Sequence, residues 1–260
     1  MKVIPERLRR HKGRSGTMTV FEHLDELRKR LIITVLAVLA GSIIGWFLFG
    51  PAVHILTKPF CTFMTAHPQL AARPTDPCRL VYGGPLEPFV TKLKVTVFLG
   101  FALSLPVVLY EFWRFVTPGL MPNERKLALP FVLTSIALFL FGAWFALFTL
   151  PKAMAFLLGF AGTTHVLLLL TYGRYLGFVT LTIVAFGVSF EFPLVLISLT
   201  LVGVLSSQKL RAWRRYAILG IAVFAAVITP SQDWFTMTAM MVPLIVFYEL
   251  SILVSRLLKH

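Results

Sequence analysis

Apolar residues in this chain gather into six long runs, at about 31–50, 95–116, 127–150, 176–204, 216–229 and 235–254. That spacing limits what the chain can fold into. A helix of roughly 20 apolar residues spans the ~30 Å hydrocarbon core of a bilayer. Inside hydrocarbon, backbone polar groups must be satisfied within a helix or a closed barrel. The runs therefore predict an all-α, polytopic integral membrane protein with six transmembrane helices. Composition agrees: 57% of residues are hydrophobic and 14% charged, against about a quarter charged in soluble domains. The fifth run is short, about 21 Å of helix at 1.5 Å per residue, and Pro230 closes it. Pro243 interrupts the sixth. Kinked and partly short spans of this kind imply local thinning of the bilayer.

The net charge of +14 suggests nucleic acid at first sight, but its distribution suggests topology. With the N-terminus placed in the cytoplasm, eighteen of the 25 Lys and Arg fall on the cytoplasmic side and seven on the other. This is the positive-inside pattern. It predicts cytoplasmic N- and C-termini and removes the need for a nucleic-acid partner. Residues 1–18 read as a basic cytoplasmic tail and 19–260 as a single six-helix domain. Met1 to Arg30 is too long and polar for the basic start of a signal peptide, and no small-residue cleavage site follows the first run. The first run is therefore expected to stay as a mature helix. Arg9-Arg10 is followed by His-Lys-Gly rather than an apolar residue, and reads as part of the solvated tail.

Thr19-Val-Phe-Glu22 has the form of a capping box, so a helix is expected to start at Thr19. Asp25 with Lys29 and Glu26 with Arg30 are spaced as i,i+4 ion pairs. Between the first two runs, Pro51 to about Lys94 reads as a long outer loop holding seven prolines, with room for short helices. Both cysteines, Cys61 and Cys78, fall in it. The outer side of a bacterial membrane is oxidising, which permits a disulfide; two unpaired thiols are the alternative. Between the second and third runs, Pro118-Gly119 ends one helix, and Glu124 falls in the first turn of the next, at a positive helix end.

The fourth run carries Glu191 near its middle, with Pro193 two residues on. A carboxylate in hydrocarbon is costly and marks a functional position. On a straight helix, Thr180, Gly187, Glu191 and Ser198 lie within about 20° of one line. They form a stripe of small and polar residues, predicted to line a protein-facing groove wetted from the cytoplasmic side, where a partner helix or an apolar peptide segment docks. The plainer alternative is a glutamic acid hydrogen-bonded to a neighbouring helix as packing.

Five segments occur in order that together resemble the TatC subunit of the twin-arginine protein translocase. They are HLDELRKRL (23–31), EPF with Lys92 (87–92), ALSLPVVLYEFWRFVTPGL with Glu124-Arg125 (102–125), FGVSFEFPL (186–194) and ITPSQD (228–233). The resemblance runs from about residue 20 to 256. It implies a concave, glove-like bundle in the bacterial cytoplasmic membrane. It further implies a receptor for folded precursors whose signal peptides carry two consecutive arginines, assembled with single-span TatA/TatB-type subunits, homo-oligomeric within the larger complex and driven by the proton gradient. Carried over by motif, Glu26 and Glu124 are the signal-contacting acids, and Arg28, Phe115 and Arg125 accompany them. Pro59 matches an outer-loop proline, Asp233 an outer-turn acid and Glu191 the acid of the fourth span. The chain departs from the family at Glu111, where Gln is common, at Met237, where some members have Gln, and in its N-terminal extension.

The residues themselves support those assignments in part. An arginine fork matches a carboxylate, and two separated carboxylates can read two adjacent arginines. Arg28 and Arg125 would repel such a signal, so they read as groups that hold the acids in place. Phe115 offers a cation–π surface. Otherwise Glu26 simply pairs with Arg30, and Glu124 favours a helix start. Glu111 is expected to snorkel or pair with Arg114.

Other classes fit less well. GRSG (13–16) has the shape of an intramembrane serine protease motif but lies in the basic tail, and the chain has no HExxH, no metal-ligand spacing of its histidines and no P-loop. No enzyme activity, metal or cofactor is expected. An ion-coupled small-molecule transporter is the stronger rival, but it would call for paired halves and more than one midplane acid.

Overall fold

The computed structural model describes residues 20–70, 75–116, 128–159, 169–201, 203–231 and 233–258. These form nine α-helices and no strand ladder. They are α1 (Val20–Phe47), α2 (Phe49–Ala66), α3 (Glu87–Val116), α4 (Ala128–Gly159), α5 (Tyr172–Phe190), α6 (Phe192–Leu201), α7 (Ser207–Ala212), α8 (Arg214–Ile228) and α9 (Trp234–Leu258). Five stretches are long and apolar enough to cross a membrane: α1, α3, α4, the α5–α6 pair and α9. The fifth apolar run becomes α8, 15 residues long, which is about 22 Å at 1.5 Å per residue and falls short of that length.

Contacts between helix ends fix the directions. Arg30 near the start of α1 meets Glu111 near the end of α3, so these two helices are antiparallel. Ser135 of α4 meets Glu191 at the end of α5. Ser255 near the end of α9 donates to Thr200 near the end of α6, at 3.2 Å. Arg214 at the start of α8 pairs with Glu249 of α9. One side of the bundle therefore gathers the start of α1, the ends of α3, α6 and α9, and the start of α8. The other carries α2 and the Cys61–Cys78 disulfide, whose Cα atoms are 4.7 Å apart.

Three elements differ from the sequence reading. Much of the expected 51–94 loop is helix: α2 takes residues up to Ala66, and α3 begins at Glu87, eight residues before the apolar run. The apolar period explains α2, since Leu56, Pro59, Phe60, Phe63 and Met64 form one buried face. Its internal Pro59 is tolerated because the Tyr175 hydroxyl enters the ladder. It accepts from the Phe60 amide at 3.1 Å and donates to the Leu56 carbonyl at 2.9 Å. A side chain inserted in this way is a recognised means of satisfying a bent helix. At the other end, Gly159 extends α4 nine residues past the expected limit, and Leu48 alone separates α1 from α2.

Small residues set the closest packing. A Cβ added to Gly41 would lie 2.6 Å from the Gly100 carbonyl oxygen, and one on Gly100 would lie 2.7 Å from that of Val38. Gly41 and Gly45 form a Gly-x-x-x-Gly face that lets the α1 and α3 backbones touch, the packing mode favoured where lipid gives no hydrophobic drive. Gly142 and Gly187 bring α4 onto α5 in the same manner.

Candidate functional site

Two polar clusters interrupt this apolar bundle. The first lies where α1 begins and α3 ends. Arg30 is placed by the helix period one turn after Glu26, with which it pairs, and its Nη1 also donates to Glu111 Oε2 at 3.0 Å. The guanidinium is thus bracketed by carboxylates from two helices, and all three side chains are mostly buried. Two acids and one base leave the cluster with one surplus negative charge. Glu26 Oε2 and Arg30 Nε are buried without a hydrogen-bond partner. Such an arrangement can take up a further cationic donor, which would satisfy the open Glu26 oxygen and neutralise the excess charge.

Arg28 lies on the exposed side of the same turn, and Asp25 pairs with Lys29 at 2.9 Å in solvent. Phe115 is half-buried, one turn after Glu111. Glu124 and Arg125 lie outside the described residues. Glu111 does not pair with Arg114, as the sequence had suggested: it faces inward to Arg30, while Arg114 sits over the Tyr110 ring, 5.9 Å from its centroid.

The second cluster is inside the fourth span. Trp113 Nε1 donates to Ser135 Oγ at 2.7 Å, and Ser135 in turn donates to Glu191 Oε2. Glu191 Oε1 is buried without a partner. Glu191 stands at a break, being the single residue between α5 and α6. Pro193 has no amide hydrogen to offer the Ser189 carbonyl, and its ring disfavours a regular turn there. The expected stripe on one straight helix is therefore split at its centre. Gly187 is closed over by the Phe139 ring, 2.7 Å from where its Cβ would be. The Thr180 and Ser198 hydroxyls return to their own helices, at Leu176 and Val195. Only Glu191 keeps an open polar atom.

The opposite side holds structural locks. Asp233 caps α9, accepting from the Thr236 amide at 2.8 Å and from the Thr236 hydroxyl at 2.5 Å. Partial burial alone would raise its pKa, but these bonds with those from Ser231 and Phe235 outweigh it and hold the carboxyl below its ordinary value. Pro59 is buried in α2. Glu87 accepts from the Gly83 and Gly173 amides and so ties the loop before α3 to the start of α5. Lys92 lies 4.0 Å from the centroid of Trp46, a snorkelling amine resting on an aromatic at the surface.

Sequence reasoning missed the Arg30–Glu111 contact and the Ser135–Trp113 relay. The first had a signal, an acid within an apolar segment facing an arginine that was assigned only to its own helix. The second had none, because Ser135 is one of many hydroxyls in apolar runs.

Residues 22–243 match the profile of the TatC family, Sec-independent protein translocase proteins. A relative from Frankia casuarinae is 40% identical over 92% of this chain and 66% of its own length. One from Aquifex aeolicus is 38% identical over 92% of this chain and 95% of its own. Both are Sec-independent protein translocase proteins TatC. Two crystal structures of the twin-arginine translocase receptor TatC superpose with TM-scores of 0.75 and 0.74 at 38% identity. They cover 90% and 92% of this chain, and 99% and 100% of their own. The chain belongs to the TatC family and is a membrane-embedded subunit of the Sec-independent protein translocase.

Proposed function

We propose that this subunit is the receptor that binds twin-arginine signal peptides of folded precursors, through Glu26 and Glu124 on its cytoplasmic face. The observation that carries this is the cluster at the start of α1. Glu26 already holds one guanidinium together with Glu111, and keeps a buried oxygen and a surplus negative charge for another. In this reading Arg30 and Arg28 fix the position and charge of Glu26, Arg125 does the same for Glu124, and Phe115 supplies the apolar wall beside the arginines. Residues 19–260 act as one six-span unit with both termini cytoplasmic, and α8 is a short span beside which the bilayer thins. Single-span TatA/TatB-type subunits dock beside Glu191, whose open oxygen accepts from a partner's polar group. Several copies assemble in a complex that draws on the proton gradient.

The test is site-specific cross-linking. A photoreactive residue at Leu27, exposed at 43% beside Glu26, leaves both carboxylates in place and is expected to capture a precursor bearing two consecutive arginines, and to lose it when both are changed to lysine. Lysine keeps the charge but not the planar fork. Equal capture of both precursors counts against recognition by these carboxylates.

A further inference from the structure

The side of the bundle that carries Glu26 holds a second charged feature. α7, α8 and α9 converge on a cleft of about 530 Å³ lined by Ser207, Gln208, Arg211, Arg214, Glu249 and Arg256, with Ile252 and Leu253 as its apolar wall. Each of the three helices supplies one arginine. Glu249 is already paired with Arg214 at 2.5 Å, and neither Arg211 nor Arg256 makes an ion pair among the described residues. The cleft therefore carries two uncompensated guanidinium groups around a concavity, beside the amide of Gln208 and the hydroxyl of Ser207.

We infer that this cleft binds the phosphodiester headgroup of an anionic phospholipid from the leaflet on the Glu26 side. Guanidinium forks match phosphate oxygens in pairs, and basic pockets between membrane helices suit acidic headgroups. A zwitterionic headgroup fits worse, because its ammonium would need a carboxylate and Glu249 is occupied by Arg214. A lipid is favoured over free phosphate by what adjoins the cleft. Leu257, Leu253 and Leu250, exposed at 71%, 55% and 48%, step back along α9 from the turn that holds Arg256 toward its apolar middle. This row would lie against an acyl chain, whereas a soluble anion has no use for it. The inference depends on the side of the bundle and not on signal recognition, so the two fail independently.

Purified full-length protein is titrated with phosphatidylglycerol, and separately with phosphatidylcholine, in detergent and followed by native mass spectrometry. Phosphatidylglycerol is expected to be retained preferentially. Arg211→Gln/Arg256→Gln should weaken that retention by at least about tenfold, as loss of charge-assisted contacts requires. Lys209→Gln/Arg215→Gln, the same change in charge outside the cleft, should alter it less than about twofold, since exposed charges contribute little. Equal retention of both lipids by the wild-type protein overturns the inference, and this comparison stands even if the double variant fails to fold. Equal loss in Lys209→Gln/Arg215→Gln also overturns it, by reducing the effect to overall charge. Displacement of the lipid by millimolar inorganic phosphate, or by an acidic peptide, would assign the cleft to a soluble anion or to a protein instead.

Discussion

The two polar clusters bury carboxylates with different partners. At the start of α1, Glu26 and Glu111 share the Arg30 guanidinium, which balances one of the two acids. In the fourth span, Glu191 receives only the Ser135 hydroxyl, itself supported by the Trp113 indole, and has no ion pair among the described residues. Each cluster leaves a carboxylate oxygen unsatisfied, Oε2 of Glu26 and Oε1 of Glu191. Near the surface, a paired acid with an open oxygen is ready for a cation, whose charge it attracts. Within the span, an acid held by neutral donors is suited to a neutral hydrogen-bonding partner. The same side chain thus serves recognition of charge in one place and helix docking in the other, and its neighbours decide which.

Breaking the first cluster should have the largest effect on stability. Arg30→Leu leaves two mostly buried acids facing each other, which should cost about 3 kcal/mol, the range for removing one partner of a buried pair. The double variant Arg30→Leu/Glu111→Leu should recover at least half of that, because an apolar pair can replace a buried ion pair. Thermal unfolding in detergent measures both. No recovery in the double variant would mean that Glu111 is not the acid left stranded.

The second cluster should respond more mildly. Glu191→Leu strands the Ser135 hydroxyl and should cost about 1–2 kcal/mol, whereas Glu191→Gln keeps an acceptor and should cost less than about 1. Co-purification with a TatA/TatB-type subunit should fall for Leu and persist for Gln, while binding of a twin-arginine peptide stays unchanged in both. If Leu retains the partner as well as wild type does, Glu191 is packing alone and the contrast between the clusters weakens.

A smaller effect than that of Glu191→Leu belongs to Asp233. Asp233→Ala removes the cap of α9 and should cost about 1 kcal/mol. Its carboxyl titrates below the ordinary value in the folded protein. The stabilisation is therefore complete above about pH 4, the unfolded value, and is lost as pH falls through the lower folded value. Wild type and Asp233→Ala should differ in stability at pH 6 and converge as the carboxyl protonates. A constant difference down to pH 2 would contradict that assignment.

Membrane architecture was readable from the apolar runs because they report a solvent, and no tertiary contact is needed to interpret them. In the run containing Glu191, Pro193 carried the cause of the break, since a proline cannot donate to the ladder, although the stripe was read on a straight helix. What stayed hidden were contacts between helices distant in sequence. Nothing near Pro59 indicates that Tyr175 would satisfy the backbone around it, so α2 read as loop. Glu26 and Arg30 were legible as an i,i+4 pair, but the role of Glu111 needed α1 and α3 to be antiparallel and brought together at Gly41 and Gly100. The carboxylates of the proposed receptor site were legible by type and motif, while the second carboxylate on Arg30 was not.

Binding of a labelled twin-arginine signal peptide to the purified protein tests the central claim most directly, with Glu26→Ala, Glu124→Ala and the double variant compared in detergent. Loss of a charge-assisted contact amounts to about 1.5–3 kcal/mol, roughly ten- to hundred-fold in affinity. A loss of that size is predicted for Glu124→Ala, a smaller one for Glu26→Ala, and abolished binding for the double variant while it remains folded and inserted. Wild-type affinity in the folded double variant would contradict the account.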